Sequence, residues 1–193
     1  MNPWYAKGVV LAATAAMIAI RAPHGHRSRT VKVVRSAKGV LENVLLLLAW
    51  IGFFVPLVWI WSSAFESAEF ELRPAALVAG SLLYAIGLWL FHRSHADLGT
   101  NWSVTLQVRE NHRLVTEGVY RRIRHPMYSG LLLFSLGQAV TVPNWIAGPS
   151  YLVVMVLLVA LRLGPEEGLM RGTFGARYDA YVRTTKRLVP GVW

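Results

Sequence analysis

Apolar residues in this chain run in long unbroken stretches, with neither the strict alternation of half-buried strands nor the narrow stripe of a surface helix. Five stretches stand out, over about 4–20, 40–61, 74–91, 127–142 and 145–163. A helix rises about 1.5 Å per residue, so roughly 20 apolar residues cross the hydrocarbon core of a bilayer. Lipid offers backbone groups no hydrogen-bond partner, and the lack of alternation argues against a barrel, so each stretch reads as a helix. The stretch at 127–142 is short. Pro143-Asn144 follows it and predicts a two-residue turn, which would make the last two stretches a tight antiparallel hairpin. The pattern therefore predicts an all-α integral membrane protein with five transmembrane helices, in a single domain over 1–193.

Charge gives the expected orientation. The connection after the first stretch holds Arg21, Arg27, Arg29, Lys32, Arg35 and Lys38. The third connection holds Arg93, Arg109, Arg113, Arg121, Arg122 and Arg124, and the C-terminal segment holds Arg162, Arg171, Arg177, Arg183, Lys186 and Arg187. With five spans these eighteen of the twenty basic residues fall on one side, leaving only Lys7 and Arg73 on the other. Basic connections stay cytoplasmic, which puts the N-terminus outside and the C-terminus in the cytoplasm.

The net charge of +10 then reads as three juxtamembrane segments facing anionic lipid, and a nucleic-acid partner is not expected. The chain is 54% hydrophobic and has no cysteine, which excludes disulfides, thiolate metal sites and a cysteine nucleophile. Ala13-Thr14-Ala15 lies inside the first stretch, which favours an uncleaved span over a signal peptide.

Two polar blocks, from His92 to Met127 and from Arg162 onward, flank the last hairpin and must meet at its cytoplasmic mouth. In the first, Asp97 to Ser103 reads as a turn and Thr105 to Val108 as a short extended piece. Pro126 suits the first turn of a helix, because its missing N–H would be unpaired there. His125 then sits at the cap, beside free N–H groups and the positive end of the dipole. It could serve a ligand or simply cap the helix, with Tyr128 an interfacial aromatic. In the second block Arg162 and Glu166 share a helix face, either as an i,i+4 ion pair or as ionisable groups kept at membrane depth for function. The segment 174–181 reads as an amphipathic helix on the membrane surface. His92 and His95 are three apart with Asp97 beyond, but no second cluster completes a shell, so no metal is expected. No G-x-G-x-x-G follows a strand, so a Rossmann domain is not expected.

Taken in order, His112-x-Leu114-Val115-x-x-Gly118-x-Tyr120, Arg124-His125-Pro126-x-Tyr128, Glu166-Glu167 and Phe174-Gly175-x-x-Tyr178-x-x-Tyr181 resemble the isoprenylcysteine carboxyl methyltransferases, most closely their compact prokaryotic members. The resemblance extends from about residue 97 to the C-terminus. It implies S-adenosyl-L-methionine bound in a cytoplasmic region made of about 97–128 and 162–193. Position by position it implies that Gln107, His112, Arg113, Leu114, Val115, Tyr120, His125, Pro126, Met127, Tyr128 and Glu166 line the cofactor pocket, with Glu167 the neighbouring candidate for Glu166. Arg162 matches the arginine that faces the carboxylate of a prenylated or other lipid-like substrate. The expected outcome is a methyl ester.

A carboxylate suits such a reaction, since with a pKa of about 3.5 it is already a nucleophile at neutral pH. Three rival readings stay open. An amine lipid such as phosphatidylethanolamine could be the methyl acceptor, but it must first lose a proton to a base. A sterol-type reductase would use NADPH. A non-enzymatic scaffold would bind no cofactor.

Overall fold

In the computed structural model, residues 2–28, 33–36, 39–99, 107–109 and 113–192 are described; for 24–28, 33–36 and 107–109 this covers the backbone alone. The helices are α1 (Trp4–Ser28), α2 (Val40–Trp61), α3 (Pro74–Leu98), α4 (Pro126–Thr141), α5 (Ser150–Phe174) and α6 (Ala176–Thr184). Short 3-10 turns cover Glu66–Ala68 and Gly118–Arg121. One two-stranded antiparallel ribbon joins β1 (Val33–Ser36) to β2 (Gln107–Arg109), which tempers the all-helical expectation. Its second strand overlaps the extended piece read from the sequence. Its partner, in the first connection, was not read as a strand, although the β-branched run Thr30-Val31-Lys32-Val33-Val34 was its signal.

Trp4–Pro23, Val40–Trp61 and Pro74–Leu98 are long and apolar enough to cross a membrane. Helix α4 has only 16 residues, and α5 carries Arg162, Glu166, Glu167 and Arg171 in its second half. Large apolar side chains face outward along these helices, including Leu47, Ile51, Leu82, Ile86, Trp89, Val153 and Val156. So much outward apolar surface is what lipid, and not water, accommodates.

Where the boundaries differ from the sequence reading, particular hydrogen bonds explain it. Helix α3 continues past Phe91 to Leu98, so His92, His95 and Asp97 are helical; Gly99, at φ 55°, ends it by donating its N–H to the His95 carbonyl. The last connection is also longer than a two-residue turn, because α5 begins at Ser150 and not near Trp145. Asn144 is responsible. Its Oδ1 accepts from the N–H groups of Ile146 and Ala147 at 3.0 and 2.9 Å, and its Nδ2 donates to the Phe65 carbonyl at 2.7 Å. Such side-chain bonds offer the backbone an alternative to helix.

Two seams fix the packing. Gly80 and Gly87 on α3 meet Gly137 and Gly130 on the antiparallel α4: a Cβ on Gly87 would stand 2.8 Å from the Gly130 carbonyl oxygen, and one on Gly80 3.0 Å from that of Gly137. Small residues let helix backbones approach this closely in lipid. Helix α2 crosses α5 where the Ser150 hydroxyl donates to the Gly52 carbonyl at 3.1 Å. Between the seams, Phe134 stacks on Phe53 at 5.8 Å and meets Tyr84 edge-on at 4.7 Å, while Tyr151 closes on Phe53 at 5.5 Å.

Candidate active site

The C-terminal residues after α6 fold back along the start of α4. The N–H groups of Arg124 and His125 donate to the carbonyls of Lys186 and Arg187 at 2.7 and 3.0 Å, and the Ser129 hydroxyl donates to that of Leu188 at 2.6 Å. His125 is the cap residue of α4 and Pro126 its first residue, as the sequence implied. Upstream, Gly118 adopts φ +59°, where a Cβ would collide with the Asp97 carboxylate. That carboxylate instead accepts the Val119 N–H at 2.9 Å, which pins the turn bearing Tyr120 to the end of α3.

These connections enclose a cavity of about 230 Å³. Its apolar wall comes from α1, α2 and α5, through Met17, Leu46, Phe53, Met155 and Leu158. Its polar floor comes from the two blocks. Arg113, Leu114, Val115, Tyr120, His125, Met127, Tyr128, Arg162 and Glu166 all line it, joined by Tyr178 and Tyr181. Pro126 does not line the cavity. The Gln107 side chain and the whole of His112 lie outside the described residues.

The adjacent carboxylates separate sharply. Glu166 faces the cavity with 30% of its side chain exposed and accepts from the Tyr128 hydroxyl at 2.5 Å. Glu167, 2% exposed, lies beneath. Arg124 Nη2 and Nε stand 2.7 and 3.0 Å from its Oε1, Arg187 Nη2 is 2.9 Å from its Oε2, and His125 Nε2 is 3.4 Å from Oε1. Arg124 also donates to the Thr185 carbonyl. Burial alone would raise the carboxyl of Glu167, but hydrogen bonds from His125, Arg124 and Arg187 hold it well below the usual carboxylate range. Glu167 is thus a fixed anion under the site, and Glu166 the one presented to it.

His125 bridges the two, with Nδ1 3.8 Å from Glu166 Oε1 and its ring stacked on Tyr128 at 5.6 Å. Burial and the Glu166 charge push the Tyr120 hydroxyl above the ordinary phenol range, so it stays protonated. Tyr181 supports that residue from behind by donating to the Tyr120 carbonyl at 2.6 Å. Burial, with the charge of Glu167, likewise pushes the Tyr178 hydroxyl up to about 12.

Arg162 is bracketed by carboxylates, with Glu42 Oε1 3.3 Å from Nη2 and Glu166 Oε2 3.9 Å from Nε. The sequence reading missed Glu42. Its signal was an acidic residue at the start of an otherwise apolar span, a place where charge is rarely kept without use. Arg21 of α1, also unforeseen, reaches the same cavity. Among the described residues no three His, Cys, Asp or Glu side chains gather closely enough to hold a metal.

Fold and site together define a multi-pass integral membrane protein whose charged pocket opens onto an apolar wall. The chain belongs to the isoprenylcysteine O-methyltransferase branch of the phospholipid methyltransferase family, whose family model matches residues 75–177. It is 33% identical over 156 residues to protein-S-isoprenylcysteine O-methyltransferase B of Arabidopsis thaliana, covering 81% of this chain and 74% of that one. Identity to the A form from the same plant is 36%, over 60% of this chain and 56% of that one. To the Homo sapiens enzyme of that name it is 33%, over 58% and 39%. Against the last two, the chain spans about half the relative's length or less. The fold is similar to that of the eukaryotic intramembrane Ras methyltransferase ICMT, with a TM-score of 0.56, 22% identity, and coverage of 81% of this chain and 55% of that one.

Proposed function

We propose that this protein transfers a methyl group from S-adenosyl-L-methionine to the carboxylate of a membrane-embedded isoprenylcysteine-like substrate. The observation that carries the proposal is the pairing of Arg162 and Glu166 on one wall of a cavity that is polar at its floor and apolar above. The donor set fits the cofactor: an amino-acid end needs one anion and one cation, and the floor offers Glu166 among Arg113, Arg124 and Arg162. Glu166 would take the ammonium group and Arg113 the carboxylate, while Tyr120, Tyr128, Leu114, Val115 and Met127 would pack on the remainder. Gln107, His112 and Pro126 belong to the same proposed set through the family resemblance. When bound, the cofactor supplies an electrophilic methyl group on a sulfonium.

The chain's own task is alignment. Arg162 would hold one oxygen of the acceptor carboxylate and leave the other to attack, and no general base is required because the carboxylate is already ionised. The apolar wall excludes water and receives the lipid tail. We further propose that α4 and α5 complete five spans of a single domain over 1–193. The N-terminus would then lie outside, with the C-terminus and the cofactor region of about 97–128 and 162–193 in the cytoplasm. The one-sided basic residues support this orientation.

The description of the family model favours one alternative, a phospholipid amine as acceptor. The purified protein in lipid, given labelled S-adenosyl-L-methionine, separates the two. Base-labile label on farnesylated cysteine with a free carboxyl is expected; base-stable label on phosphatidylethanolamine would replace this reading with the amine one.

A further inference from the structure

Arg162 stands where two cavities meet. It lines the large one and also a smaller one of about 140 Å³ between α2 and α5, whose walls include Glu42, Leu45 and Leu161. Glu42 approaches the guanidinium from α2 and Glu166 from its own helix, at 3.3 and 3.9 Å. The Glu42 and Arg162 side chains are only 8% and 10% exposed.

The pair could simply fasten α2 to α5. Those helices are already joined by the Ser150–Gly52 hydrogen bond and the edge contact of Phe53 with Tyr151. Apolar side chains at both positions would fasten the helices as well as a buried ion pair does, because desolvating two charges offsets most of their attraction. A guanidinium is a planar fork of five donors, so anchoring one part of it aims the rest. We infer that Glu42 is a positioning residue, which clamps Arg162 at the wall between the cavities so that its guanidinium presents the acceptor carboxylate in line for transfer. The inference rests on the carboxylate-methylating function proposed above.

Clamping and charge have separable consequences. Glu42→Gln removes one of the two carboxylates sharing the guanidinium, so attraction for an anionic acceptor persists or increases. The aim of Arg162 is lost, and a misplacement of about 1 Å can cost on the order of a hundredfold in rate. The expected result is kcat lowered by about ten- to a hundredfold with KM not raised, a loss confined to the transition state. S-adenosyl-L-methionine affinity should stay within about twofold, because the residues proposed to hold the cofactor are unchanged. Glu42→Asp should recover most of the turnover. In an Arg162→Lys background, Glu42→Gln should add less than about threefold, since effects through one group do not add.

The test measures these parameters with farnesylated cysteine, together with calorimetric binding of its free acid and its methyl ester to cofactor-free protein. Normal turnover in Glu42→Gln overturns the inference. So does an additive loss in the Arg162→Lys background, or a joint fall in acid affinity, cofactor affinity and thermal stability, which is what a fastener would give. If the unsubstituted protein binds acid and ester alike, the proposed carboxylate contact fails and takes the role of Glu42 with it. If it prefers the acid and Glu42→Gln turns over normally, the role of Glu42 fails alone.

Discussion

The α3–α4 seam and the polar mouth beneath the cavity both involve α4, and they hold it by opposite means. At the seam the joint is made by what is missing: four glycines let two backbones touch. At the mouth it is made by charge, with one buried carboxylate binding the start of α4 to the C-terminal segment through Arg124, Arg187 and His125. The seam leaves no room for a Cβ at its glycines yet needs no particular charged partner. The mouth tolerates no unpaired member. Damage at the seam should therefore be graded by volume, and damage at the mouth should be abrupt.

The largest effect expected is that of Glu167→Ala. It takes from Arg124, whose side chain is as deeply buried as His125, its carboxylate partner, leaving the Thr185 carbonyl, and breaking a buried pair from one side costs about 3–5 kcal/mol. Thermal unfolding in detergent, followed by tryptophan fluorescence, should show a loss far larger than for Glu166→Gln, which faces the cavity. Equal losses would erase the distinction drawn between the two residues. The same network sets a pH limit. The folded Glu167 carboxyl is held below its unfolded value, so its contribution is complete above the unfolded pKa of about 4.3 and disappears as pH falls through the folded one. Acid should destabilise the protein in that range, and Glu167→Gln should flatten this limb.

At the seam, Gly87→Ala places a methyl 2.8 Å from both the Gly130 oxygen and the Phe134 nitrogen. Overpacking of this kind costs about 1–3 kcal/mol. Gly8→Ala in α1 meets nothing within 4 Å and serves as the control, expected to be neutral or slightly stabilising. If both substitutions behaved alike, close backbone approach would not be what joins α3 to α4.

How much of this was legible depended on whether a feature is local. The spans, the cap at His125-Pro126 and the shared face of Arg162 and Glu166 are properties of neighbouring residues, and the helices carry them where the spacing predicts. Boundaries set by distant partners were not legible. Asn144 reshapes the last connection by bonding to Phe65, and Glu42 meets Arg162 only because α2 crosses α5. The choice between Glu166 and Glu167 also depended on three dimensions. Consecutive residues on a helix point about a third of a turn apart, so one faces the cavity while the other is claimed by two arginines. The seam did have a sequence signature, paired glycines seven apart in two spans, but it signals contact only once the helices are known to be antiparallel neighbours.

The smallest predicted effect probes where the mouth hands over to the cavity. Tyr181 lines the cavity, yet its hydroxyl donates to the Tyr120 carbonyl, so it is tied to the backbone and not free to serve a ligand. Tyr181→Phe keeps the ring and removes one neutral hydrogen bond, for which about 1 kcal/mol is the expected loss. That energy should divide between stability and cofactor binding, with affinity for S-adenosyl-L-methionine falling by no more than about fivefold. Tyr120→Ala removes a ring from the cavity wall itself and should weaken cofactor binding much more, with little effect on the acceptor's acid-over-ester preference. Arg162→Ala should do the reverse, abolishing that preference and turnover while the cofactor still binds. If Tyr181→Phe proved the more damaging of the two tyrosine changes for cofactor affinity, the hydroxyl would have to act on the ligand directly, and the division between a supporting mouth and a binding wall would be drawn in the wrong place.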